Sequence, residues 1–192
     1  MKEQISDLFD KIQGESTGLG NLLSKIPGLD GYMERSRRRE ADQLLRKTIA
    51  DRLEGTRLQL GSVSEELSRD IIKAIDHAEP MGRADTRLMG LIGKVKDAPQ
   101  GYAGFFNAIK VKEEDLARIY AFDETMLNHA DQIGASTAVL EKAVMDDGDI
   151  AGAIRALDSE LKEANTTFDG RDEVIKGIGI GESSVDTLKT DL

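Results

Sequence analysis

Ile119, Met126, Ile133 and Leu140 recur at intervals of seven, and Phe122 and His129 stand three places after the first two. Apolar positions at that spacing form the seam of a bundle or coiled-coil helix. Glu113, Glu114 and Asp115 open the segment, and acids in a first turn complement the helix dipole. Further on, Ile150, Ile154, Leu157, Leu161, Ala164 and Phe168 step by 4, 3, 4, 3, 4, which predicts a second helix over 149–168. Asp147-Gly148-Asp149 reads as the turn and N-cap between them. A turn that short forces antiparallel neighbours, so the seam is expected to be filled mainly by the 149–168 helix.

Upstream, the pattern is helical from about Tyr32, with Ala41, Leu44, Leu45, Thr48 and Leu53 inward. Gly55 is tolerable inside that helix, at about 1 kcal/mol relative to Ala, and Gly61 is read as its end. Ser62 and Glu65 have the spacing of a capping box. The helix it would open carries Leu67, Ile71, Ala74, Ile75 and Ala78 on its apolar face and ends at Pro80 and Gly82. Another follows from Asp85 or Thr86, with Leu88, Leu91, Ile92 and Val95 inward, and closes at Pro99. No segment alternates convincingly as a strand. The fold class expected is all-α, an antiparallel bundle of about five to six helices.

The domain organisation follows from what flanks this pattern. Residues 1–31 are expected to hold an amphipathic helix (Ile5, Leu8, Phe9, Ile12) and a Gly-rich connector. Residues 32–176 form the bundle, and 177–192, from Gly-Ile-Gly-Ile-Gly onward, read as a flexible tail. The run from Gly148 to Asn165 resembles the second helix of a tetratricopeptide unit. Thr137 and Glu141 stand where the first helix of such a unit carries Trp and Gly, and no copy recurs at that repeat's period. The resemblance implies a shared helix–turn–helix solution and no family.

Charge and composition narrow the function classes. Of the 192 residues, 26 are basic and 36 acidic, a net of -10. Residues 1–109 are balanced, 17 against 17, so the whole deficit falls in 110–192, 9 against 19. An acidic half repels phosphates, which argues against nucleic acid as a partner. The absence of Cys excludes disulfides, thiol catalysis and cysteine-ligated metals. There is no bilayer-length apolar run, and the start, Met1-Lys2-Glu3-Gln4, is unlike a secretory signal. A cytoplasmic location is the expectation.

No catalytic constellation is legible. His77 and His129 both lack the Glu three places earlier that carboxylate-bridged metal bundles use. His129 is expected as a half-buried seam residue with a nearby hydrogen-bond partner, Asp123 and Glu124 lying one to two turns before it. The glycines at 14, 18 and 20 have no preceding strand and no Gly-Lys-Ser/Thr, so no phosphate loop follows. Asp146 to Asp149 lacks the length and closing Glu of a calcium loop. The reading assigns no catalytic residue, no metal and no cofactor.

What remains is contact chemistry. Arg35, Arg38, Arg39 and Arg46 form the one dense basic feature and are candidate partner-binding residues, although acids interleave them: Asp30 to Arg52 hold 7 basic and 5 acidic side chains. Tyr102, Phe105 and Phe106 place three of the eight aromatics on one Gly-rich stretch, a second candidate contact. Leu19, Leu22, Leu23 and Ile26 share a helical face that would suit a membrane interface or the bundle itself. The expected function is therefore a non-enzymatic helical-bundle protein acting through a protein partner or self-association. The alternatives are a peripheral membrane protein using residues 1–29, or a bundle with a buried small-molecule or metal site. One test follows from the aromatic pair. Phe105 and Phe106 diverge by about 100° on a helix, so only one can enter a seam. Truncating that one to Ala should cost about 3–5 kcal/mol in urea unfolding, and truncating the other should cost little while weakening association.

Overall fold

The computed structural model describes residues 25–26, 38–97 and 113–171. Among the described residues there are four helices and no strand. They are α1 (Arg38–Leu67), α2 (Ile71–Asp97), α3 (Glu113–Met145) and α4 (Ile150–Asp169). The chain divides into two compact units. One comprises Met1–Leu45, Pro99–Thr125 and Asp169–Leu192, and the other Arg46–Ala98 and Met126–Phe168.

In the first unit, the described side chains of Leu45, Ile119, Ala121 and Phe122 are buried, as is Ile26. Asp123 and Glu124 are buried too.

In the second unit, four helices bury aliphatic stripes. Leu53, Leu60, Val63 and Leu67 come from α1, and Leu88, Leu91, Ile92 and Val95 from α2. Met126, Ile133 and Leu140 come from α3, and Ile150, Ile154, Leu157 and Leu161 from α4. Leu88 to Val95 and the α3 and α4 stripes are as the periodicity predicts. Polar pairs fix the order of neighbours. Arg57 pairs with Asp85 and Lys96 with Glu54, so α1 and α2 run antiparallel. His129 on α3 meets Thr167 on α4. Arg52 pairs with Asp131, and Gln59 donates to Glu141 at 2.6 Å, which sets α1 beside α3 in the same direction. Arg87 pairs with Asp158, which sets α2 beside α4. Two helical hairpins thus lie side by side with like-directed helices adjacent. Sequential helices are antiparallel, as expected, and the contacts between hairpins are parallel. The α3 helix is flanked by both α4 and α1.

Two boundaries differ from the expectation. α1 does not stop at Gly61, and Ser62 with Glu65 forms no capping box. Ser62 and Ser64 instead bond back to the carbonyls of Leu58 and Leu60 at 3.3 and 3.0 Å. A Gly in mid-helix costs only about 1 kcal/mol, and continuing to Leu67 buries Val63 and Leu67. The break falls at Ser68–Asp70. Arg69 N bonds to Glu66 O at 3.1 Å, a tightened last turn, and Asp70 Oδ1 accepts from Ile72 N at 2.9 Å and Lys73 N at 3.2 Å. Asp70 is the N-cap of α2.

Nor does the chain break at Pro80 and Gly82; α2 runs through both, so two expected helices are one. Proline removes one donor, the one owed to the Asp76 carbonyl. Asp76 is an exposed residue, where water can take the place of the lost donor. At the other hairpin the expected turn is present. Asp147 takes the left-handed conformation (φ 51), Gly148 N returns to Ala143 O at 2.8 Å, and Asp149 Oδ1 caps α4 through Gly152 N at 2.7 Å.

Asp70→Ala should therefore lower urea-unfolding stability by about 1 kcal/mol. Glu65→Ala should stay within about 0.5 kcal/mol; equal losses would restore the capping box at Ser62.

Candidate interaction surface

The buried residues Met81, Ala84, Leu88, Leu91, Ile92 and Val95 mark one stripe on α2. Projected back at about 100° per residue, that stripe passes through Lys73, Ala74 and His77. It misses Ile71, Ile72 and Ile75, which are 74%, 72% and 74% exposed. Of the expected apolar face, Ala74 thus lies half-buried on the core side, while Ile71, Ile75 and Ala78 stay outside. The reason is the continuity of α2: with no break at Pro80, the phase set by Leu88 to Val95 governs the first turns too.

A groove of about 840 Å³ lies between α1 and α2, and its α2 wall runs from Lys73 to Asp85. Small side chains open it: Gly61, Ser62 and Ser64 on α1, Ala74, Ala78 and Gly82 on α2. Leu58, 76% exposed, stands on its α1 side. At one end Arg57 Nε donates to Asp85 Oδ1 at 2.8 Å, and this hydrogen bond holds the guanidinium above its ordinary pKa. At the loop end, the hydrogen bond from Lys73 to Asp147 raises the ammonium in the same way. Both cations that could have gripped an anion there are engaged by carboxylates. The groove thus mixes apolar side chains such as Leu58, Leu60 and Met81 with serines and paired charges.

The second polar constellation lies between α3 and α4. His129 and Thr167 are buried, with Nε2 and Oγ1 3.2 Å apart. His129 Nδ1 lies 4.0 Å from Glu160 Oε2. The order hydroxyl, imidazole, carboxylate is that of a nucleophilic triad. Thr167 is only 5% exposed, and the groove between α1 and α2 does not reach it. The imidazole-to-carboxylate distance exceeds a hydrogen bond. The arrangement ties α3 to α4. His129 also meets Thr167, 38 positions on, a pairing that no local spacing reveals. Among the described residues, no group of three His, Cys, Asp or Glu is placed to hold a metal.

Other candidates from the sequence are placed as follows. Arg46 is half-buried on α1 and makes a polar interaction of its own. Arg38 and Arg39 lie at the start of α1, and their side chains lie outside the described residues. Arg35, Tyr102, Phe105 and Phe106 also lie outside them, as do Leu19, Leu22 and Leu23. Ile26, the fourth member of that leucine face, is 2% exposed. No described helix is long and apolar enough to cross a membrane. In comparisons with known proteins, no family model, no curated protein and no solved structure matches this chain.

Thr167→Val removes the hydroxyl that meets His129 in a buried place. It should cost about 1–3 kcal/mol in urea unfolding. Thr166→Val, whose exposed hydroxyl bonds only back to Lys162 O at 2.9 Å, should stay within about 0.5 kcal/mol.

Proposed function

We propose that this protein acts without catalysis, by binding another protein chain through the first half of α2. The observation that carries the reading is the exposure of Ile71, Ile72 and Ile75 together, above 70% each, on the helix that forms one wall of the α1–α2 groove. Isolated exposed hydrophobics are ordinary on any surface. Three β-branched side chains within five residues form a patch, and patches of this kind mark interaction sites. The lining chemistry supports a protein rather than an anionic partner, because Arg57 and Lys73 are already held by Asp85 and Asp147. Helix-in-groove recognition needs an apolar trough with a few anchors and a polar rim. Leu58 and the isoleucines supply anchors, and Glu65 supplies a charge at the groove's α1 wall.

A photo-cross-linking amino acid at position 72 tests this in cells. It should give discrete protein adducts that Ile71→Asp with Ile75→Asp abolishes, while the double variant's melting stays within about 2 °C of the parent, both sites being exposed. Adducts no stronger than from Arg155, an exposed α4 position, would contradict the reading.

A further inference from the structure

The last turns of α1 form a ridge with a groove on each side. The wider groove, toward α2, is lined by the buried Leu60, Leu67 and Met81 and by the exposed Leu58. A smaller one of about 210 Å³ lies toward α3, lined by Val63, Val144 and Met145. Ser62 and Glu65 line both grooves, so the two hollows belong to one surface with these residues on its crest. Leu58 in the wider groove and Met145 in the smaller are 76% and 68% exposed.

This surface is acidic. Residues 65–73 and 141–149 meet there, since Lys73 pairs with Asp147 and the smaller groove joins Glu66 and Arg69 to Glu141. Together they hold 3 basic and 7 acidic side chains, a net of 3 − 7 = -4. Arg69 is held by Glu66 at 2.8 Å and Lys73 by Asp147, while the third cation, Lys142, lines neither groove. In the wider groove Arg57 is held by Asp85. Glu65 on the crest is exposed and makes no ion pair among the described residues. The serines around it add acceptors. Ser62, Ser64 and Ser68 donate their hydroxyl protons to the carbonyls of Leu58, Leu60 and Ser64, which leaves the oxygen lone pairs for an incoming donor.

We propose that the partner's contact segment is a basic amphipathic helix crossing the end of α1, its apolar side chains in the two grooves and a Lys or Arg on Glu65 and Ser62. The inference rests on the association reading above and gives the partner its chemistry. A helix is about 10 Å across, so grooves on its two sides lie about two turns of a crossing helix apart. The partner's face then reads apolar, basic, apolar at successive turns. Beyond the wider groove it reaches the α2 wall, on whose helix Ile71 and Ile75 are exposed. The net negative charge favours this partner over an acidic segment, which would meet like charge at the crest.

Two synthetic peptides of about five helical turns test this on the full chain. Both present Leu along one face; one carries Lys between and beside the leucines, the other Glu. In fluorescence anisotropy at about 0.15 M salt, the Lys peptide should bind saturably and the Glu peptide should not. Glu65→Lys should weaken the Lys peptide about tenfold. Asp97→Lys, the same charge change at the exposed far end of α2, should weaken it less than about twofold. A Cβ at Gly61 meets nothing within 4 Å, so Gly61→Gln adds a side chain to the wider groove without altering charge, and should weaken binding about fivefold. Glu65→Lys and Gly61→Gln should melt no lower than the parent, both positions being exposed. Equal weakening by Glu65→Lys and Asp97→Lys, parent-like binding by Gly61→Gln, a Glu peptide that binds as well as the Lys peptide, or no saturable binding overturns the inference. If position 72 still captures a protein in that case, the association reading stands and only the partner's chemistry falls; if it captures none, both fall.

Discussion

The continuity of α2 through Pro80 decides what the rest of this surface is. A helix has one phase, and the phase of α2 is set where it buries Leu88, Leu91, Ile92 and Val95. Everything N-terminal must follow at about 100° per residue. Lys73, Ala74 and His77 then lie over the core side, half-buried, and the isoleucines at 71, 72 and 75 turn outward. Proline in a helix interior costs about 3 kcal/mol. That cost is borne where one lost hydrogen bond falls on the carbonyl of an exposed residue. A protein that needed those isoleucines in its core would have to break there and rotate the first ten residues.

Around this helix, the second unit is held by aliphatic stripes and oriented by pairs that cross between helices. The stripes supply most of the stabilisation, since burial of apolar area is the dominant favourable contribution in folding. The crossing ion pairs are mostly half-exposed, and such pairs are individually worth little. Their value here is orientation. Arg57–Asp85 and Lys96–Glu54 fix α1 against α2, while Arg52–Asp131 and Arg87–Asp158 fix one hairpin beside the other. The caps at Asp70 and Asp149 set the two hairpin turns.

The α3–α4 hairpin was legible from the residues alone. Its seven-residue seam and 4-3 stepping leave one phase for each helix, and Asp149 sits where a cap must. The α1–α2 hairpin was legible in its buried half, Leu88 to Val95, and misread in its turn. Gly61 and Pro80 look like the strongest breakers in the segment, and each carries a local penalty of only a few kcal/mol, which burial of Val63, Leu67 and Met81 outweighs. Ser68-Arg69-Asp70 carried the true signal, an Asp placed to cap Ile72 and Lys73, but the more conspicuous Ser62–Glu65 spacing obscured it. The exposed isoleucine patch was missed for the same reason: a row expected inside a short helix becomes an exposed row on a long one. Parallel neighbours between hairpins and the His129–Thr167 bond depend on residues 38 to 82 positions apart, which no periodicity encodes.

The most direct test is the exposure of isoleucine methyl groups in solution. A soluble paramagnetic probe added to dilute, methyl-labelled protein broadens methyl signals in proportion to their access to solvent. Strong broadening of Ile71, Ile72 and Ile75, with Ile92, Ile133 and Ile154 protected, is the predicted result. Ile71 and Ile75 protected to the same degree as Ile133 would place them in the core, and would contradict a continuous α2.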